Sequence, residues 1–399
     1  MNNIALRHVL PTSAVLTALL CGGLSGMAYV APATAADIKI GVPLPQTGAA
    51  SRWGTFSMRG ASLAAKQIND AGGVIGSKLQ LVPADDQCVP AEGVSASQRL
   101  INITEVSVIF GPMCSSVAKA LQPIVESAKI PMLLPATSDP EITYKAGVGG
   151  FKWTFRNYPT DEIRALVLLE YAAKLGVTRI ALVAIDNDFG RSAVNFNNKY
   201  QSKVPGINFT STDFFSIKET DFRPILSKIK AADAQVIMLY ATAGDTIQVL
   251  ARQMRELGMA GKVRVMGIGD LTHPDNIKNL GDVLEGAVEA TVWVPLHDNA
   301  RSQKFVNDYK EAYKGEVPNF LAYSYWETMH LLAQAIRDAK SVKGDALAKS
   351  LREIKYQSVL GSVQFDDHNQ ANIPMMLLQI KNGTPASLGT FFSQPAYSK

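Results

Sequence analysis

From Asp37 onward, short apolar runs alternate with amphipathic helical stretches, and this alternation limits the chain to parallel sheets covered on both faces. Parallel neighbours need a crossover between them, and a helix is the usual one. Ile38-Lys39-Ile40-Gly41-Val42 reads as a strand of period two, followed by a loop, Pro43 to Gly54. Phe56 to Ala71 then places Met58, Ala61, Ala65 and Ile68 on one helical face, ended by Gly72-Gly73. Leu79–Val82 is the next strand, with Asp85-Asp86 past its end. A helix over 91–103, a strand over 106–110, a helix over 115–128 and a strand over 132–134 continue the series.

The series then repeats. Helices are expected over 161–175, 191–203, 222–231 and 246–257, with strands at 180–184, 209–214, 236–240 and 263–266. Two doubly wound lobes result, joined near Arg156–Pro159. Residues 285–294 read as a strand, 302–313, 323–339 and 344–354 as helices, and 362–365 as a strand. These later pieces are too few for an independent domain and are expected to return to the lobes. The boundaries that follow are 37–157 with 286–360 for the first lobe, and 158–285 with 361–399 for the second.

The first 36 residues read as an export signal rather than as fold. Arg7 and His8 precede an apolar stretch, Val9 to Val30, and Ala33-Thr34-Ala35-Ala36 supplies the small residues of a cleavage site near Ala36. Periplasmic location is the expectation. Of three cysteines, Cys21 leaves with the signal, and an even pair, Cys88 and Cys114, remains. In an exported chain that pair points to a disulfide, against two free buried thiols. A net charge of +4 over 399 residues, with no basic run, gives no reason to invoke nucleic acid.

In open α/β sheets ligands gather beyond the carboxyl ends of the strands. The loops there carry Gly, Ser, Thr and Asp, and lack a nucleophile with its base. Most informative is Gly111-Pro112-Met113-Cys114-Ser115-Ser116, which turns a buried strand into a helix. Such a turn offers free backbone N–H groups and the positive end of a helix dipole to an anion. Ser115 and Ser116 stand where an N-cap is expected, able to serve the helix or a ligand.

With these residues in view, the chain resembles the periplasmic branched-chain amino-acid-binding proteins, the leucine-binding family that feeds ABC importers. Ile68-Asn69-Asp70-Ala71-Gly72-Gly73-Val74-Ile75-Gly76 matches that family's Ile-Asn-x-x-Gly-Gly-x-x-Gly. Gln46-Thr47-Gly48, Asp85-Asp86 before Cys88, Pro135-Ala136-Thr137-Ser138, Asp188-Phe189-Gly190 and Gly361 to Asp366 add to the likeness. The resemblance implies two lobes joined by three strands that close over a ligand, with membrane permease subunits as partners. It implies a monomer without cofactor or metal. Carried over by position, Ser115 takes the ligand carboxylate, and Ala136, Thr137 and Ser138 form the adjoining loop. Trp53 and Phe189 supply aromatic walls, and Cys88 and Cys114 match the family disulfide. Two positions depart from the pattern. Thr242 stands where branched-chain binders have tyrosine. Gly269 stands where they have the glutamate that takes the ammonium, with Asp270 beside it. The implied ligand is a hydrophobic amino acid if Asp270 does that work, or an aromatic or keto carboxylic acid if no ammonium is present, with urea or amides as a third class.

An enzyme is the rival class. No Gly-x-Ser-x-Gly elbow, Walker loop or dinucleotide fingerprint opens a helix. Glu327 and His330, one helical turn apart, are expected as a surface pair, and Asp366-Asp367-His368-Asn369 as a turn. Trp326 and Met329 are expected in the core, and Arg52 and Arg156 in solvent.

Overall fold

The computed structural model describes residues 36–241, 246–296, 298–392 and 397. Residues 1–35 of the expected signal segment and Thr242 lie outside them. Five strands form the first sheet: β1 (Ile38–Leu44), β2 (Leu79–Asp85), β3 (Val108–Phe110), β4 (Met132–Leu134) and β5 (Thr154–Arg156). Their spatial order is β2-β1-β3-β4-β5 and every pairing is parallel. β3, β4 and β5 are only three residues long and buried throughout, as strands covered on both faces must be. The same burial overrides the period of two in β1, where only Lys39 is exposed.

The second sheet is built from β6 (Arg179–Ile185), β7 (Asn208–Phe215), β8 (Val236–Tyr240), β9 (Arg264–Ile268) and β10 (Val288–Thr291), all parallel. A short hairpin, β11 (Tyr356–Ser358) with β12 (Gly361–Val363), stands apart from both sheets. β13 (Met375–Lys381) and β14 (Thr384–Phe391) then extend the second sheet antiparallel, in the order β14-β13-β10-β9-β8-β6-β7. The chain therefore crosses to the second sheet after β5, leaves it after β10 and re-enters it at β13.

Several expectations shift. The return to the first lobe does not begin at residue 286, because β10 is already committed to β9 and β13 in the second sheet. Helix Ser51–Asp70 starts five residues before the expected Phe56, which makes Trp53 helical. Helix Pro274–Leu284 and the β13–β14 hairpin were not expected. The hairpin did carry a signal: Asn382-Gly383 joins the strands with both residues at positive φ (52° and 69°), which suits a two-residue primed turn.

Helix Phe320–Ala339 lies against helix Ser51–Asp70 beneath the first sheet. Trp326 and Met329 are buried there. Glu327 is buried too, not paired at the surface with His330. Its carboxylate accepts from the Tyr356 hydroxyl at 2.6 Å and meets Arg301 at 2.9 Å, while His330 Nε2 lies 3.3 Å from Gln67 Oε1. This pairing ties the β11–β12 hairpin to the first lobe. Asp366 Oδ1 accepts the N–H groups of His368 and Gln370, which makes 366–370 a side-chain-stabilised turn.

The helix pair meets closely at Gly60, where a Cβ would stand 2.0 Å from the carbonyl oxygen of Ala322. Helix propensity alone would favour alanine by about 0.5–1 kcal/mol. Backbone cannot yield at that distance, so Gly60→Ala should instead lower stability by about 1–3 kcal/mol. The midpoint of a urea unfolding curve followed by circular dichroism checks the sign.

Candidate functional site

Strand order reverses once in each sheet, between β1 and β3 in the first and between β6 and β8 in the second. Connections leave a reversal point in opposite directions, so a crevice opens there beyond the strand ends. A cavity lies where both crevices meet.

The first lobe supplies Trp53 after β1, Met113, Cys114 and Ser115 after β3, and Ala136 and Ser138 after β4. Asn187 and Phe189 after β6, with Ile268 at the end of β9, come from the second lobe. Tyr158 on the crossing after β5, Arg164 on helix Asp161–Lys174, and Phe320 with Leu321 complete the wall. Five of the expected site residues therefore converge on one cavity: Trp53, Ser115, Ala136, Ser138 and Phe189. Thr137 is buried beside it but is not on its wall.

Asp270 lies elsewhere. It lines a neighbouring small cavity with Glu289, Thr272 and His273, sharing Phe320 with the main one. Its carboxylate accepts from Asn319 Nδ2 at 3.1 Å, and Asn319 Oδ1 caps helix Phe320–Ala339 through the N–H groups of Leu321 and Ala322. Burial raises its pKa, with Asn319 and His273 opposing. In this position Asp270 braces the helix start that carries two wall residues.

Cys114, not Ser115 or Ser116, is the N-cap of helix Ser115–Ala128, and its side chain makes no cap bond. By helix geometry the first-turn N–H groups are left for another acceptor. Ser115 is buried, and its Oγ lies 3.4 Å from the Asp139 N–H that it accepts. The helix start is held by a disulfide from Cys114 to Cys88, whose Cα atoms are 5.5 Å apart. Beneath that bridge Asp86 is fully buried, accepting from the Cys88 N–H at 2.8 Å.

Sequence reasoning missed the two buried arginines. Arg156, expected in solvent, is 1% exposed, bonded to Gln370 Oε1 at 2.6 Å and to the Asp139 carbonyl at 2.7 Å. It ties the β5 crossing to the turn that leads into β13. Arg164 is wholly buried and paired through Nη1 with Asp161 Oδ1, while its Nε and Nη2 have no hydrogen-bond partner. A lone arginine in a helix opening Asp161-Glu162-Ile163-Arg164 carries no sequence signal for burial. Arg52 is exposed. Across the cleft mouth, Lys119 of the first lobe reaches Asp139 at 3.2 Å, Glu141 at 3.0 Å and Asp188 of the second lobe at 3.3 Å.

A family model described as periplasmic binding protein matches residues 37–385, and the chain belongs to that family. An amino acid binding protein of Pseudomonas aeruginosa is 31% identical over 231 residues, covering 57% of this chain and 59% of its own length. The leucine-, isoleucine-, valine-, threonine- and alanine-binding protein of that organism is 26% identical, covering 84% of this chain and 87% of its own. Among solved structures, a leucine-binding protein of Thermotoga maritima superposes with a TM-score of 0.77 at 25% identity, covering 89% of this chain and 98% of that one. A solute-binding protein of an ABC transporter from Rhodopseudomonas palustris, solved with 3,4-dihydroxybenzoic acid, gives a TM-score of 0.81 at 23% identity, covering 90% and 97%. The two-lobed fold of periplasmic solute-binding proteins is thus the fold of this chain. Among the described residues no helix is long and apolar enough to cross a membrane.

Burial pushes the Asp86 carboxyl up to about 7, and that of Asp161 up to about 6. A carboxyl that holds its proton more tightly when folded stabilises the fold at low pH, and that stabilisation is lost as pH rises through the folded pKa. Stability should therefore fall between about pH 4 and pH 7 and level off above. Asp86→Asn should flatten most of that slope in urea midpoints measured across the range, with the Cys88 N–H still accepted by the amide oxygen.

Proposed function

We propose that this chain is the periplasmic receptor of an ABC importer, and that it captures a small carboxylate bearing a ring or a hydrophobic side chain. The supporting observation is the single cavity at the meeting of both reversal points, walled by Trp53, Phe189 and Phe320 and opened on one side by the first turn of helix Ser115–Ala128. With Tyr158, four aromatic residues in one small space favour a flat or branched apolar group. The helix start favours an anion. In this reading Ser115 takes the carboxylate with hydroxyl and N–H, and Ala136 and Ser138 add backbone and hydroxyl contacts, with Thr137 supporting their loop. Trp53 and Phe189 close over the apolar part. Asp270 acts through Asn319 on the helix that carries Phe320.

Capture is reversible closure. Ligand touching both lobes lowers the free energy of the closed form, and only its higher affinity for that form can shift the balance. Lys119 meeting Asp188 adds an ion pair that forms as the lobes meet; half exposed, such a pair contributes about 0–1 kcal/mol. The closed monomer then docks on the permease.

A thermal-shift screen of amino acids, aromatic acids and keto acids tests the reading. At least one carboxylate at 100 times its Kd should stabilise the protein by about 2.7 kcal/mol. Ser115→Ala should weaken that ligand by about 1.5–3 kcal/mol, the scale of a charge-assisted hydrogen bond. A screen in which no carboxylate raises Tm would refute the assignment.

A further inference from the structure

The chemistry of the cavity wall narrows the ligand further. Among the described residues, three unpartnered buried side-chain polar atoms stand on that wall: Trp53 Nε1, Arg164 Nε and Arg164 Nη2. All three are donors. A buried donor left without an acceptor is costly, and more so when it carries charge, so the wall is complete only with an acceptor-rich occupant.

The two arginine atoms are not independent. Asp161 holds Nη1, and Nε with Nη2 form the opposite edge of the same planar group. Two parallel N–H bonds on one edge match the two oxygens of a carboxylate, the pairing for which a guanidinium is shaped. Helix Asp161–Lys174 belongs to the second lobe, packed on β9, β10 and β13. Its first N–H donates to the Ser138 carbonyl at 2.9 Å, which sets the helix start against the first-lobe loop. Donors from the two lobes thus face one space.

No aspartate or glutamate lines that space. Asp161 is turned to Arg164, and Asp270 to Asn319 in the neighbouring cavity. An ammonium group brought into the cavity would meet a guanidinium and no carboxylate. We propose that Arg164 is the specificity-determining residue of this site, gripping a carboxylate by its Nε–Nη2 edge and selecting aromatic or 2-oxo acids over the corresponding amino acids. This rests on the reading of the cavity as a carboxylate receptor site.

Titration calorimetry with matched probes tests it: benzoate against benzamide, phenylpyruvate against L-phenylalanine, and 4-methyl-2-oxopentanoate against L-leucine. In the unaltered protein at least one acid should bind 100-fold or more tightly than its amide or amino partner. Arg164→Gln should weaken that acid at least 100-fold and narrow its margin over the amide or amino partner. Arg164→Lys, which keeps the charge and loses the fork, should fall between. If Arg164→Gln fails to fold, the ratios in the unaltered protein decide alone. Amino acids bound as tightly as their oxo acids would overturn the role of Arg164 and leave the receptor reading standing. Unchanged acid affinity in a folded Arg164→Gln would do the same. No binding by any acid or amino acid would overturn both.

Discussion

Right-handed crossovers between parallel strands place every loop that can hold a ligand at the carboxyl end of a sheet, and one reversal of strand order per sheet opens the crevice. The order β2-β1-β3-β4-β5 puts Trp53 and Ser115 on the two sides of one reversal. The order β7-β6-β8-β9-β10 sets Asn187 and Phe189, which follow β6, at the edge of the other. Everything the site does depends on these two crevices meeting. The crossing after β5, pinned by Arg156 to Gln370 and to the Asp139 carbonyl, holds them in register.

The first-lobe half of the site is rigid. Ser115 begins a helix whose N-cap is clamped by a disulfide, over a carboxyl that burial keeps near neutrality. Its helix is packed through Val117, Leu121 and Val125. Among the described residues the second-lobe half has no disulfide. Phe189 rests edge-on against Tyr240, whose hydroxyl accepts from Asn197 at 2.6 Å, and Arg164 is anchored at one nitrogen only. A fixed anion seat facing a less constrained wall suits a receptor that closes on its ligand.

Much of this was legible from residue patterns. Alternating apolar runs and helical faces define two parallel lobes, and the resemblance to the leucine-binding family, carried over by position, brings Ser115, Ala136, Ser138, Trp53 and Phe189 to one site. What escaped has physical causes. β10 reads as a free strand, because nothing local says which sheet it will join. The buried states of Arg156, Arg164 and Glu327 are invisible locally, since each depends on a partner distant in the chain or on a cavity wall. Asp270 looked like a substitute for a missing glutamate, yet its left-handed φ of 58° and its bond to Asn319 direct it to another cavity.

The sequence by itself determined the lobes, the strand-to-helix turn at Gly111–Ser116 and the residue types around it, because each follows from periodicity, turn chemistry and helix ends. Tertiary structure alone decided which charges face the ligand. Burial and partnering are properties of space rather than of neighbouring residues, so only the folded chain could turn Asp270 away and leave one edge of Arg164 open.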